Sequence, residues 1–295
     1  MSYPEFGPSA GVAGPGTATL RRLGLAVSLT SGLPVQPSAT GLMLLGQHSV
    51  APKPGARIPD VITWTELAVA IAGADIESNV ARERVIRWVA TRIWLLGLTV
   101  NTLADRIRPL GLPADHTSHP GIGWSVVTVP GGLIDQGVAA VDLDPTHPDA
   151  LVPLPFTLLR FSGHGTTGWF PTAAAYLEKR AEYAAARYRL HPQAPLRPAG
   201  DCDVVTLLTS RTMRMGLLAD IPSGLRAIAL PERDRGWLDV RAIDPAFVAT
   251  AAAMTEPEKR GFDHLLLVSV HEVAAPKPGG DLLSLLLRDP PPNEH

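Results

Sequence analysis

Gly163-His164-Gly165-Thr166-Thr167-Gly168 spells G-x-G-x-x-G between the apolar run Phe156–Phe161 and a long helical pattern. At a strand–turn–helix joint, freed backbone N–H groups and a helix N-terminus converge on the phosphates of a nucleotide. Gly163, Gly165 and Gly168 are therefore ligand-binding candidates. Two features oppose that chemistry. Trp169-Phe170-Pro171 stands where the phosphate-binding helix should already run, and proline inside a helix breaks its hydrogen bonding. His191-Pro192 stands near where an acidic ribose ligand is expected. A glycine-rich loop without a ligand is the plainer reading.

A second group follows the apolar run Val204–Leu208. If that run is a parallel strand, Ser210, Arg211 and Arg214 lie at its C-terminal end, where two arginines could hold an anion. The plainer reading is a serine N-cap with exposed arginines. His116 and His119 have the spacing of a zinc clamp, but two ligands do not hold zinc tightly and no third is identifiable. The segment Asp142–Asp149 fails as a calcium loop, with His147 where glycine belongs and Pro153 where the terminal glutamate belongs. No metal and no cofactor is assigned. Tyr176, Tyr183 and Tyr188 alternate with Arg180, Arg187 and Arg189, a pattern that can stack bases. Ala174, Leu177, Ala181, Ala184 and Tyr188 explain the same helix as a packing stripe.

Arg160-Phe161-Ser162-Gly163-His164-Gly165 also resembles the strand-end histidine motif of caspase-like cysteine peptidases. That resemblance implies His164 as base and Cys202, the one cysteine, as nucleophile. Cys202 precedes its apolar run, whereas the nucleophile of that family follows one. A parallel sheet would then set the two residues at opposite ends. A half-buried thiol and a turn histidine is the competing reading.

The elements that would position these groups come from the apolar pattern. Residues 1–18 read as a flexible arm, 19–190 as a mixed α/β region, 191–200 as a proline-rich linker, 201–275 as a βαβ-type region and 276–295 as a proline-rich tail around Leu282–Leu287. Leu23–Leu29 and Leu42–Leu45 read as short strands. Thr63-Trp64-Thr65-Glu66 spells a capping box, and its helix pairs with a longer one after Asp75 as a helical hairpin. Strands are expected at 124–129, 137–141 and 156–161, then a helix at 172–190. Further on, strands at 203–208, 225–230 and 264–270 alternate with helices at 210–218 and 245–254. The expected fold class is α/β or α+β, with a mostly parallel sheet in the C-terminal part.

Composition narrows the function classes. A net charge of −2 gives no reason to expect nucleic acid, and the most apolar helix falls short of a membrane span. One cysteine excludes an internal disulfide framework, and residues 1–16 do not read as a signal peptide, so a soluble cytoplasmic protein is expected. Twenty-two arginines against four lysines fit a GC-rich genome. The runs Cys202–Leu208, Arg235–Asp239 and Ile243–Phe247 resemble uncharacterised conserved proteins of GC-rich actinobacteria, which implies a bacterial origin and no particular activity.

No complete catalytic set survives these tests. The expectation is a non-enzymatic structural or protein-interaction subunit of a bacterial assembly, with a protein partner or a second copy of the chain. The alternative is a ligand-binding protein or enzyme using the 161–168 turn, as a nucleotide site or a caspase-like Cys-His hydrolase.

Overall fold

The computed structural model describes residues 16–45, 61–121, 123–124, 126–165, 167–238 and 245–276, in two compact units that divide after Gly97. Most of the expected arm and nearly all of the tail with Leu282–Leu287 lie outside the described residues, as do Thr166 and Asp244.

The first unit contains α1 (Thr17–Thr30), β1 (Val35–Pro37), β2 (Gly41–Leu44), β3 (Val61–Thr63), α2 (Trp64–Ala70) and α3 (Asn79–Leu96). The strands form an antiparallel sheet in the order β1-β2-β3. Leu23–Leu29, expected as a strand, belongs to α1. Its buried residues Leu20, Leu23, Gly24 and Val27 recur at helical spacing. A short apolar run looks the same in either conformation until something packs on it. The capping box forms as spelled, with Thr63 Oγ1 accepting from the Glu66 amide. Glu66 is itself buried, accepting from Trp88 Nε1 at 3.0 Å beside the buried Arg92 guanidinium. Burial raises the Glu66 pKa and lowers that of Arg92.

The second unit opens with α4 (Val100–Arg106), β4 (Ile107–Pro113), β5 (Val127–Thr128), β6 (Ile134–Ala140) and β7 (Val152–Pro153). Then come α5 (Phe156–Phe161), α6 (Trp169–Leu190), α7 (Val204–Thr209) and α8 (Arg211–Leu218). Last are β8 (Arg226–Glu232), β9 (Arg235–Trp237), α9 (Pro245–Met254), β10 (Leu265–Val268) and β11 (Val273–Ala274). One sheet has the order β4-β6-β5 with β7 also on β6, and the other the order β11-β10-β8-β9.

The fold is thus mixed α/β, but not the expected parallel sheet: among the described residues every strand pairing in this unit is antiparallel. The turns 233–234 and 269–272 are too short for crossovers, so β8–β9 and β10–β11 can only be hairpins. Two apolar runs expected as strands are helices. Val204–Leu208 is α7, capped by Asp203, whose carboxylate accepts from the Thr206 amide at 2.7 Å. All five of its residues are buried, so the run carries no amphipathic period to betray the helix. Phe156–Phe161 is α5.

Helix α6 is central. Ala173, Leu177, Ala181, Ala184, Ala185 and Tyr188 form its buried stripe, and from Leu177 on they join a core shared with α7, α8 and the inner faces of β8 and β10. The packing reading of this helix holds, with Ala173 in place of Ala174. Its arginines and tyrosines stack on one another or on neighbours: Arg108 and Arg180 over Tyr176 at 4.5 and 4.8 Å, Arg226 over Tyr188 at 5.2 Å. Pro171 is tolerated because it stands in the first helical turn, where amides lack intrahelical partners. Residues 191–200 lie within this unit, and Leu196 and Gly236 exchange backbone hydrogen bonds at 2.7 and 3.2 Å.

Candidate functional site

The glycine turn is a helix stop. The Gly163 amide donates to Arg160 O at 3.1 Å and the His164 amide to Leu159 O at 3.0 Å, while Gly163 takes φ +76°. This is the Schellman arrangement, which satisfies the last carbonyls of a helix and requires a left-handed residue just past its end. Gly165 and Gly168 are also left-handed, and Gly168 precedes α6. Because the preceding element is α5 and not a strand, the strand–turn–helix joint of a dinucleotide site is missing. The three glycines cap and connect two helices.

The Cys-His dyad fails on the state of the thiol. Cys202 is 0% exposed, and burial, reinforced by Asp203 and Asp201, pushes its thiol up to about 12. A nucleophilic cysteine needs the opposite environment. His164 sits half-buried in the α5 cap, and Cys202 precedes a helix, so the sheet geometry of the peptidase motif is lacking at both residues.

Ser210 and Arg214 are also committed to the fold. Ser210 Oγ caps α8, accepting from the Met213 amide. The buried Arg214 guanidinium donates to the carbonyls of Leu208, Thr209 and Val270 at 2.7, 2.9 and 3.1 Å. It closes the C-terminal end of α7 and ties it to the β10–β11 hairpin. Arg211 is exposed, which leaves it as one surface cation where an anion site was expected to have two.

The two histidines of the His-x-x-His spelling share one local device. Nδ1 of His116 accepts from the Ser118 amide, and Nδ1 of His119 from the Gly121 amide, each at 3.0 Å. In a neutral imidazole this places the proton on Nε2 and leaves no lone pair for zinc. His119 Nε2 faces Asp135 Oδ2 at 3.1 Å, and its ring meets Trp124 edge-on. Among the described residues no group of three or more His, Cys, Asp or Glu could hold a metal ion.

His116 belongs instead to a cleft of about 530 Å³ that the sequence did not point to. One side is the segment 113–117 after β4 with Gly132 and Leu133, and the other is α9 and the segment 257–264. Ala249, Ala252 and Ala253 of α9, with Leu133 and Phe262, make an apolar wall, while Asp115, His116, Arg260, Asp263 and His264 supply polar groups. The lining is mixed, apolar along α9 and polar along 115–116 and 260–264.

The two imidazoles are held in different ways. His116 is 8% exposed, and burial, with Arg233 nearby, lowers its pKa to about 4. It is neutral at pH 7, with Nδ1 accepting from Ser118 and the opposite edge of the ring hydrogen-bonded to the Glu258 main chain. His264 Nδ1 lies 2.7 Å from Asp263 Oδ1, so Nδ1 carries the proton toward the carboxylate. Its Nε2 is buried and without a hydrogen-bond partner. Nε2 of both rings is closed to solvent, so neither imidazole presents that nitrogen to the cleft. Asp263-His264, set just ahead of an apolar run, was the signal that sequence reasoning passed over.

No family model matches this chain, and no curated protein or solved structure matches it.

Proposed function

We propose that this chain is a non-enzymatic protein-interaction subunit that engages another polypeptide through α9. The observation that carries the reading is the surface of that helix. Pro245–Met254 contains no charged residue, yet of its residues 246–254 only Val248 and Ala252 are fully buried. Val248 packs with Ala229, Leu265 and Trp237 on the outer face of the β8–β10 sheet. Phe247 and Met254, two turns apart on one face, are 52% and 84% exposed. A solvent-facing helix normally carries charge on its outer side. An apolar one invites a partner. The reading keeps the bacterial, cytoplasmic setting that the C-terminal resemblance implies. Among the described residues no helix is long and apolar enough to cross a membrane, so α9 is not offered as a span.

A photo-crosslinking amino acid placed at 247 or 254, with 183 on α6 as control, tests this in the producing cell. One polypeptide should be captured from α9 and not from the control. Purified, it should bind the wild-type chain about tenfold more tightly than it binds Phe247→Asp or Met254→Asp, the loss typical of an apolar anchor. Equal capture from all three positions, or binding indifferent to both substitutions, overturns the reading.

A further inference from the structure

One face of α6 carries Tyr176, Arg180, Tyr183 and Arg187, which recur at the three- and four-residue spacing of a helical line. Lys179 and the 76% exposed Leu190 flank this line. Arg108 reaches the same face from β4, over the Tyr176 ring. The exposed Arg197 adjoins it, since Arg187 Nη2 donates to Arg197 O at 2.6 Å and to Pro198 O at 3.2 Å. We propose that this face docks a short acidic segment of another protein, with carboxylates on Arg180 and Arg187 and an apolar side chain against Leu190. It is a second surface, independent of α9.

Both guanidiniums are braced, with nitrogens left over. Arg180 Cζ lies 4.8 Å from the Tyr176 ring centre, and its Nε packs on Gly200, where a Cβ would come within 2.8 Å. Among the described residues Arg180 makes no hydrogen bond, and Nε is its one guanidinium nitrogen closed to solvent. Arg187 Cζ lies 5.8 Å from the Tyr183 ring centre, and its Nη2 bonds leave Nε and Nη1 uncommitted. A braced guanidinium loses little freedom on binding, and its fork matches a carboxylate. The two stand about 10 Å apart along the helix, within reach of one short segment. This face already holds one carboxylate: Asp201 Oδ2 accepts from Arg108 Nε at 2.5 Å and from the Tyr176 hydroxyl at 3.0 Å. The acids of α6 itself are turned aside. Glu178 accepts from Thr212 Oγ1 at 2.6 Å, and Glu182 lies about a third of a turn from the Tyr183–Arg187 line.

Nucleic acid suits this face less well. Its bases stack on open aromatic faces, whereas the Tyr176 and Tyr183 rings already carry guanidiniums. A net charge of −2 opposes a long polyanion, but a segment of a few residues meets only the local cations. Leu190, and Tyr183 at 60% exposed, offer apolar contact that a phosphate backbone cannot use.

The test follows the fluorescence anisotropy of a dye-labelled octapeptide of glutamates with one central leucine, titrated with the full-length chain. Arg180→Gln removes a side chain that makes no hydrogen bond, and circular dichroism checks its folding. Arg189→Gln, exposed on the far side of α6, is the control. The peptide should bind the wild type and Arg189→Gln alike, and Arg180→Gln about tenfold more weakly. Binding should weaken as salt rises, shift the Arg180 side-chain nitrogen resonances, and vanish when glutamine replaces glutamate in the peptide. Equal affinity for Arg180→Gln and Arg189→Gln, or no saturation below about 1 mM, overturns the proposal. An oligothymidylate that binds more tightly than the peptide, and is lost in Arg180→Gln, overturns it in favour of nucleic acid. Inorganic phosphate that displaces the peptide at equal concentration overturns it in favour of a simple anion site. Phe247→Asp should leave this binding unchanged, so its failure and that of the α9 reading are separate results.

Discussion

Gly131 and Val273 meet backbone to backbone. The Val273 amide donates to Pro130 O at 2.9 Å, and a Cβ on Gly131 would lie 2.0 Å from the Val273 carbonyl oxygen. This contact joins the β5–β6 turn to β11, next to Gly132 and Leu133 in the cleft lining. Gly131 also holds φ +103°. Gly131→Ala should therefore cost more than about 2 kcal/mol, combining backbone strain with a main-chain clash. Gly132→Ala is the control: φ is +75° but the space is open, so strain alone costs roughly 1 kcal/mol. Urea denaturation gives both values. Hydrogen exchange at Val273 should accelerate in the first variant and not in the second.

His116 should make the protein acid-sensitive. Its pKa falls from 6.5 to about 4 on folding, so the unfolded chain takes up the proton first as pH drops. Stability is lost from about pH 6.5 down to about pH 4 and the loss then levels off, totalling roughly 3 kcal/mol. His116→Asn should lack this component. The difference between the two stability–pH profiles isolates it from the other histidines, and parallel profiles would contradict the buried neutral ring.

Cys202 should be inert in the native protein. A thiol pushed up to about 12 and closed to solvent should not react with a disulfide reagent near pH 8, but should react at once in denaturant. Rapid stoichiometric labelling of the folded chain would show that the site around Cys202 opens. Cys202→Ser should bury an extra hydroxyl and cost stability without changing partner binding.

Arg214 should behave as a structural cation. Arg214→Met leaves the carbonyls of Leu208, Thr209 and Val270 without this donor in a buried setting, for a cost of about 3 kcal/mol. Arg214→Lys should recover only part of it, because one ammonium cannot reproduce the guanidinium fork. Chemical denaturation of both variants checks the order.

How much of this was legible depended on whether a signal was local. Thr63, Ser78, Thr99, Asp203 and Ser210 all cap helices through their own side chains, each accepting from an amide three residues on. The capping box at Thr63 and the serine cap at Ser210 are both legible in the sequence. Asp203 carried the same information, but the apolar run behind it looked like a strand. Gly163 stops a helix just as such glycines do; the turn is a loop without a phosphate, as its plainer reading has it, but the apolar run before it is a helix and not the expected strand.

By itself the sequence determined the mixed α/β content, the caps and turns, and the burial of runs such as Leu265–Val268, because each of these follows from the chemistry of residues a few positions apart. Only the tertiary structure decided that the strands pair antiparallel and that Val204–Thr209 is a helix. It alone put His116 and His264 in one cleft beside an uncharged helix. Those outcomes depend on contacts between segments remote in the chain, where a fully apolar run accepts either backbone conformation and the choice falls to whatever packs against it.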